Sequence, residues 1–386
     1  MIATTQPLRR TLCGLGIAAG LTAASVLGAG TATADPVLEP TIASLAEYLD
    51  AGMATTPDGR RPTAIADTGS ASGSSSGSSG SRASDAVGEG PEMSAYLPAF
   101  AYGLLHPDAA PPGANRWDCT PSARHPRPVV LLHGTWLNAY DTFSYLSPRL
   151  AQAGYCVFAL NYGKSALFEG GGLGAVLPGR YGVGPMADSA DQVAAFIERV
   201  RAATGADQVD IVGHSQGGTI ANQYLKFDGG QGKVDKLVTF GATHHGTALL
   251  GIATLGRMIN NAGIDILGFY RPIIGVANVE QAVGSPFYTT LNATGDTVPG
   301  VAYTVVGSRY DEVMNPLDLT FLRAGPDATV DNIALQDGCE QDVSDHLTMM
   351  YSPRAASIAL RALDPEGSPA LTCTFNPWFF GGGGSL

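Results

Sequence analysis

Residues Gly213-His214-Ser215-Gln216-Gly217 stand between a short strand expected at 209–212 and a helical pattern at 219–227, and no other feature restricts the fold as much. The pattern G-x-S-x-G is weak by itself in a chain that holds 50 Gly. Placed between a strand and a helix it gains meaning. The turn is then so tight that the positions flanking the serine must lack side chains, and the Ser215 hydroxyl projects above a sheet. Gly218 gives the helix further room.

Such a strand needs a sheet around it. Residues 129–132 and 155–160 are continuous apolar runs, and 236–240 and 301–306 read as further strands. Strands without polar alternation are buried on both faces, as in a parallel sheet. Within 188–203, Val193, Phe196, Ile197 and Val200 fall at i, i+3, i+4 and i+7, which predicts an amphipathic helix with Asp188 as its N-cap. Another helix is expected at 354–363. The alternation predicts an α/β protein, a mostly parallel central sheet flanked by helices. An insertion at about 246–299, apolar and poor in charge, is read either as a helical cap or lid or as helices completing the core; one segment can be both. No internal repeat is visible, so solenoids and propellers are not supported.

A serine hydroxyl is a poor nucleophile until a histidine takes its proton, and that histidine needs a carboxylate to hold its tautomer. Asp311 follows the 301–306 strand, where sites of open α/β sheets gather. It is the expected acid, with Glu312 and Asp296 as weaker contenders, and a turn role or a pair with Arg309 as the plainer alternative. His346 lies before the 354–363 helix and is the expected general base, completing the order Ser, Asp, His. The other His residues precede the sheet, sit in other motifs or come before the acid. Backbone N–H groups of Thr135, after His133-Gly134, and of Gln216, after the nucleophile, are the expected oxyanion donors, and the Thr135 hydroxyl could add a bond.

The amino-terminal residues speak to location. Arg9 and Arg10 precede an apolar run at 12–29, and Ala32-Thr33-Ala34 fits a signal-peptidase site, so residues 1–34 are expected to be a signal peptide and the chain secreted. An uncleaved membrane anchor is the alternative. Residues 35–92 read as a low-complexity leader, since 69–82 is almost all Ser and Gly and cannot pack a core. The folded domain is expected over 93–375, with a tail at 376–386. Five Cys are present; Cys13 leaves with the signal, and Cys119, Cys156, Cys339 and Cys373 remain in an oxidising compartment. Of the three pairings open to four Cys, Cys119 with Cys156 and Cys339 with Cys373 closes the shorter local loops; spacing does not prove it.

Charge narrows the partners. Lys plus Arg is 22 against 34 for Asp plus Glu, a net charge of −12, and no basic stripe exists, so nucleic-acid binding is not expected. Removal of the signal, which carries two Arg and no acid, makes the balance more negative and favours a neutral substrate. Zinc is not expected, because no paired Cys-x-x-Cys or His-x-x-x-His spacing occurs. Asp337, Asp342 and Asp345 could bind Ca²⁺ but lack EF-hand spacing and read as a solvated loop, so no metal is expected.

His133-Gly134-Thr135, Gly213-His214-Ser215-Gln216-Gly217-Gly218, Ser308-Arg309-Tyr310-Asp311-Glu312 and Asp345-His346 together resemble the secreted bacterial lipases of the class 2 type. The resemblance covers roughly 98–353 and includes Pro111-Pro112-Gly113-Ala114-Asn115, Gly154-Tyr155-Cys156 and Gly182-Val183-Gly184-Pro185. It implies an α/β-hydrolase fold with Ser215, Asp311 and His346 as nucleophile, acid and base, and Thr135 and Gln216 as oxyanion donors. It further implies a neutral ester substrate, most often an acylglycerol at a lipid–water interface, an apolar acyl pocket and no organic cofactor. The chain departs from the family in its leader and tail, and Gly381-Gly382-Gly383-Gly384-Ser385 could be an engineered scar. The residues alone leave open a short-chain carboxylesterase or polyester hydrolase, an acyltransferase, and a catalytically silent surface protein.

Overall fold

The computed structural model describes residues 86–248, 275–367 and 370–382. The expected signal peptide, most of the leader, residues 249–274 of the insertion and the last residues of the tail lie outside the described residues. In chain order the elements are α1 (Tyr96–Leu105), β1 (Val129–Leu132), α2 (Ala139–Phe143), α3 (Leu146–Gln152), β2 (Val157–Ala159), α4 (Met186–Thr204) and β3 (Val209–His214). There follow α5 (Gln216–Phe227), β4 (Val234–Phe240), α6 (Val276–Glu280), α7 (Pro286–Leu291), β5 (Ala302–Gly307), β6 (Thr329–Ala334) and α8 (Pro353–Leu363).

The six strands form one sheet in the order β2-β1-β3-β4-β5-β6, and every neighbouring pair is parallel. The unbroken apolar runs follow from this. Side chains alternate between faces along a strand, so in β1 Val129 and Leu131 join one core while Val130 and Leu132 join the other. The first core takes buried residues from α1, α2, α3 and α8; the second takes Met186, Val193, Ile197 and Val200 of α4 with Ile220 and Tyr224 of α5. Each such apolar side chain contributes about 1.5–3 kcal/mol of transfer free energy. The fold is that of an α/β-hydrolase, the expected class.

Several boundaries differ from expectation. Helix α4 starts at Met186 with Pro185 as its N-cap residue, so Asp188 is not the cap but an acid in the first turn, where it favours the positive end of the helix dipole. The folded body begins before residue 93, since Gly88 exchanges backbone bonds with Gly113 and Ala114 and the Pro91 carbonyl accepts from the Tyr140 hydroxyl. The described end of the insertion, residues 275–299, packs into the body through buried Val276, Gln281, Tyr288 and Leu291. Strand β6 was not anticipated: its residues are mostly exposed or half-buried, and it occupies the sheet edge.

Two disulfides close the shorter loops. Cys119–Cys156 holds the segment before β1 to the residue that begins the approach to β2, and Cys339–Cys373 holds the loop after β6 to the segment beyond α8. Among the described residues no helix is long and apolar enough to cross a membrane.

Candidate active site

Because all six strands run in parallel, the loops leaving β1, β3, β5 and β6 emerge on one edge of the sheet. Ser215 sits at the end of β3 with φ 53° and ψ −125°, a left-handed conformation that few side chains adopt. Crowding enforces the turn. A Cβ on Gly217 would lie 2.1 Å from the Leu132 carbonyl oxygen, and one on Gly213 would lie 2.7 Å from the Gly218 nitrogen. The two glycines let α5 start directly after the serine.

Three side chains meet there. The Ser215 hydroxyl donates to His346 Nε2 at 2.9 Å, and His346 Nδ1–H donates to Asp311, at 2.8 Å from Oδ2 and 3.0 Å from Oδ1. A carboxylate only accepts, so Nδ1 carries the proton and the lone pair on Nε2 faces the serine. Asp311 is itself fixed, since Oδ1 accepts from the Val313 and Met314 amides, each at 2.8 Å. All three residues are buried. Burial of His346 opposes its charged form, but the Asp311 charge and hydrogen bond, helped by Glu312 and Asp345, outweigh it and hold the imidazole above the ordinary histidine range.

The rival carboxylates are occupied elsewhere. Asp296 accepts from His245 Nε2 at 3.1 Å, and Glu312 accepts from the His346 backbone amide at 3.4 Å rather than from its ring. Arg309 does not pair with Asp311 but turns outward to Asp337 and Glu340. Of the acidic trio considered for Ca²⁺, Asp337 meets Arg309, Asp342 meets Ser344 and Ser352, and Asp345 caps Leu347 and Thr348.

Thr135 lies in the loop after β1, and Gln216 follows the serine as the first residue of α5. Their backbone N–H groups donate to no described residue, although the neighbouring Trp136 and Gly218 amides are both bonded. The Gln216 amide is the first of α5, so it lies at the positive end of a helix dipole. Gly134 abuts Ser215, for a Cβ there would come within 2.8 Å of the serine Cβ. An oxygen acquiring negative charge beside Ser215 would find both donors unspent.

Three supports escaped the sequence. His214 Nε2–H donates to the His346 carbonyl at 2.8 Å, and burial together with the nearby His346 pushes its pKa down to about 3, so it is a neutral brace. His133 stacks on Tyr162 and bonds the Gly134 carbonyl at 2.8 Å, likewise neutral because burial lowers its pKa to about 4. Arg180, buried against Asp141 at 2.7 Å, donates at 2.9 Å to the carbonyl of Trp136, whose φ is 60°. The motifs contained both histidines, and their place there set them aside as bases, but nothing local showed which groups they would brace.

The tail belongs to the site rather than standing apart from it. Asn376 is fully buried and its Nδ2 donates to Ser344 Oγ at 2.8 Å and to the Thr348 carbonyl at 3.0 Å. The Phe379 amide donates to Asp345 Oδ2 at 2.7 Å. Both contacts grip the loop that carries His346.

The family model of class 2 lipases matches residues 126–346, which takes in Thr135, Ser215, Gln216, Asp311 and His346. The chain belongs to the class 2 lipase family. It is thus a member of a family of ester hydrolases. Among solved structures, Aspergillus fumigatus lipase B is 20% identical with a TM-score of 0.48, over 65% of this chain and 56% of that one. The family member thus spans just over half of the fungal lipase. Mature Bacillus licheniformis lipase BlEst2 is 16% identical with a TM-score of 0.43, over 64% of this chain and 96% of that one. No curated protein matches the chain.

Proposed function

We propose that the protein is a secreted serine hydrolase of neutral carboxylic esters, a triacylglycerol lipase, acting through Ser215, His346 and Asp311. The hydrogen-bonded series from Ser215 Oγ to His346 to Asp311, beside two amides that donate to no described residue, carries the reading. Ser215 Oγ attacks the ester carbonyl carbon as its proton passes to His346 Nε2. The oxyanion is held by the N–H groups of Thr135 and Gln216. Collapse expels the alcohol, which takes the proton from His346, and leaves an acyl-serine. Water, deprotonated by the same imidazole, releases the acid and restores Ser215.

The substrate class rests on family membership and charge. A chain of net charge −12 repels acidic polymers and anionic surfaces, which leaves a neutral ester. Secretion is supported by two disulfides, which persist outside reducing compartments, and by the amino-terminal pattern of residues 1–34.

Hydrolysis of a triacylglycerol series from tributyrin to triolein tests the proposal, with Ser215→Ala alongside. Turnover of triolein that vanishes in the variant is the expected result. Activity confined to soluble short esters would make the protein a carboxylesterase, and ester turnover independent of Ser215 would overturn the assignment.

A further inference from the structure

Gln281, on the described limb of the insertion, is buried beside Thr135 although no motif marks it. Its Nε2 lies 2.7 Å from Thr135 Oγ1 and 3.2 Å from the Ala277 carbonyl oxygen, and its Oε1 lies 3.1 Å from Thr243 Oγ1. The Ala277 carbonyl can only accept, so the amide nitrogen must face it, and the orientation of the whole amide follows. Nε2 therefore donates to Thr135, and the threonine oxygen accepts.

The far side of the amide fixes a direction in the same way. Oε1 only accepts, so Thr243 spends its proton on Gln281 and must accept from Thr219, whose Oγ1 is 2.9 Å away. Thr219 in turn takes the Tyr288 hydroxyl at 3.4 Å. Donation runs one way through buried groups, from Tyr288 to Thr219, Thr243, Gln281 and Thr135. At the end of the series one proton is left over. It belongs to the Thr135 hydroxyl, one residue beyond the glycine that abuts Ser215, and no described group accepts it.

We infer that the Thr135 hydroxyl is a third donor to the oxyanion and that Gln281 is the positioning residue that keeps its proton turned toward substrate. The inference rests on the serine-hydrolase reading and adds a side chain to the two amides. It also explains why a limb of the insertion is tied to the loop after β1: the tie sets the polarity of a hydrogen bond as well as a distance.

Kinetics on a soluble butyrate ester test it. Thr135→Val keeps shape and amide but removes the hydroxyl, and is expected to lower kcat about 10- to 100-fold with KM little changed, somewhat less than the loss of a main donor. Thr135→Ser, which retains a hydroxyl, recovers most of that. Gln281→Glu is the sharper variant. An ionised carboxylate only accepts, so Thr135 must give its proton to it and the site loses the donor without any change of size. Its kcat should fall as in Thr135→Val, and the double variant should fall no further than either. A simple structural role predicts instead that the two losses multiply. Wild-type kcat in Thr135→Val, or multiplying losses, overturns the inference while leaving Ser215-dependent turnover intact; should Gln281→Glu fail to fold, Thr135→Val against Thr135→Ser decides. Wild-type protein with no Ser215-dependent turnover overturns the hydrolase reading, and the inference with it.

Discussion

Ser215, the proposed nucleophile, and His346, the proposed base, are held in opposite ways. Ser215 is fixed by its immediate neighbours in sequence, a buried strand before it, a helix after it and glycines where no Cβ fits. His346 is fixed by groups far along the chain: His214 on its carbonyl, Asp311 on its ring, and Asn376 and Phe379 on the loop around it. The first arrangement is set by local backbone geometry and its glycines, with no single side-chain bond to remove. The second is a set of separate bonds, each of which can be removed.

The largest effect should come from the locally held side. Ser215→Ala is expected to lower kcat by up to ~10⁶ while leaving the melting temperature where it was, because the turn is made by its glycines and not by the hydroxyl. Loss of folding in that variant would show the elbow to be less self-sufficient than the comparison holds.

Asp311→Asn comes next, with a fall in kcat of about 10⁴ and a change in the pH profile. The base must be neutral to act, so the acid limb of kcat/KM should lie above 6.5, the ordinary value for histidine, and shift downward in the variant. Stability carries the same sign. A histidine whose folded pKa is raised stabilises the protein below its unfolded value, and the contribution is lost as pH rises through the folded value. Denaturant titrations should accordingly find Asp311→Asn weakened most at acid pH and least at alkaline pH.

Asn376→Ala should act on the remote scaffold alone. It removes the donor that the Ser344 oxygen and the Thr348 carbonyl accept from, while the Ser344 proton stays on Asp342, at about 1–3 kcal/mol, and activity should fall along with stability. An unchanged kcat at full folding would show that the tail does not steer the base. The smallest effect is expected from Arg309→Ala, which removes an exposed ion pair near Asp311 in sequence but turned away from it; kcat and melting temperature should both be unmoved.

The same division explains what could be read from the chain. The strands at 129–132 and 155–160 are written in continuous apolar runs, and the strand before Ser215 is marked by the glycine motif that follows it, so the sheet was legible. β6 was not, because Thr329, Asp331 and Asn332 lie exposed at an edge that needs no apolar face. Helix α1 carries Tyr, Leu, Phe and Ala on every side and shows no 3.6-residue period to find. Asp188 misled because Pro185 after a glycine turn starts the helix three residues earlier than a capping Asp188 would. Ser215, Asp311 and His346 stood out through chemistry and order. Gln281 and Asn376 could not, since an amide gains its meaning only from the atoms it meets across 146 and 32 residues.

The two disulfides divide along the same line. Cys119–Cys156 lies where the chain enters the sheet, and Cys339–Cys373 delivers the segment that grips the His346 loop. A production host that leaves thiols reduced should therefore yield material of deceptive quality: a protein whose sheet assembles and whose yield looks sound, but whose specific activity is poor until an oxidant is supplied.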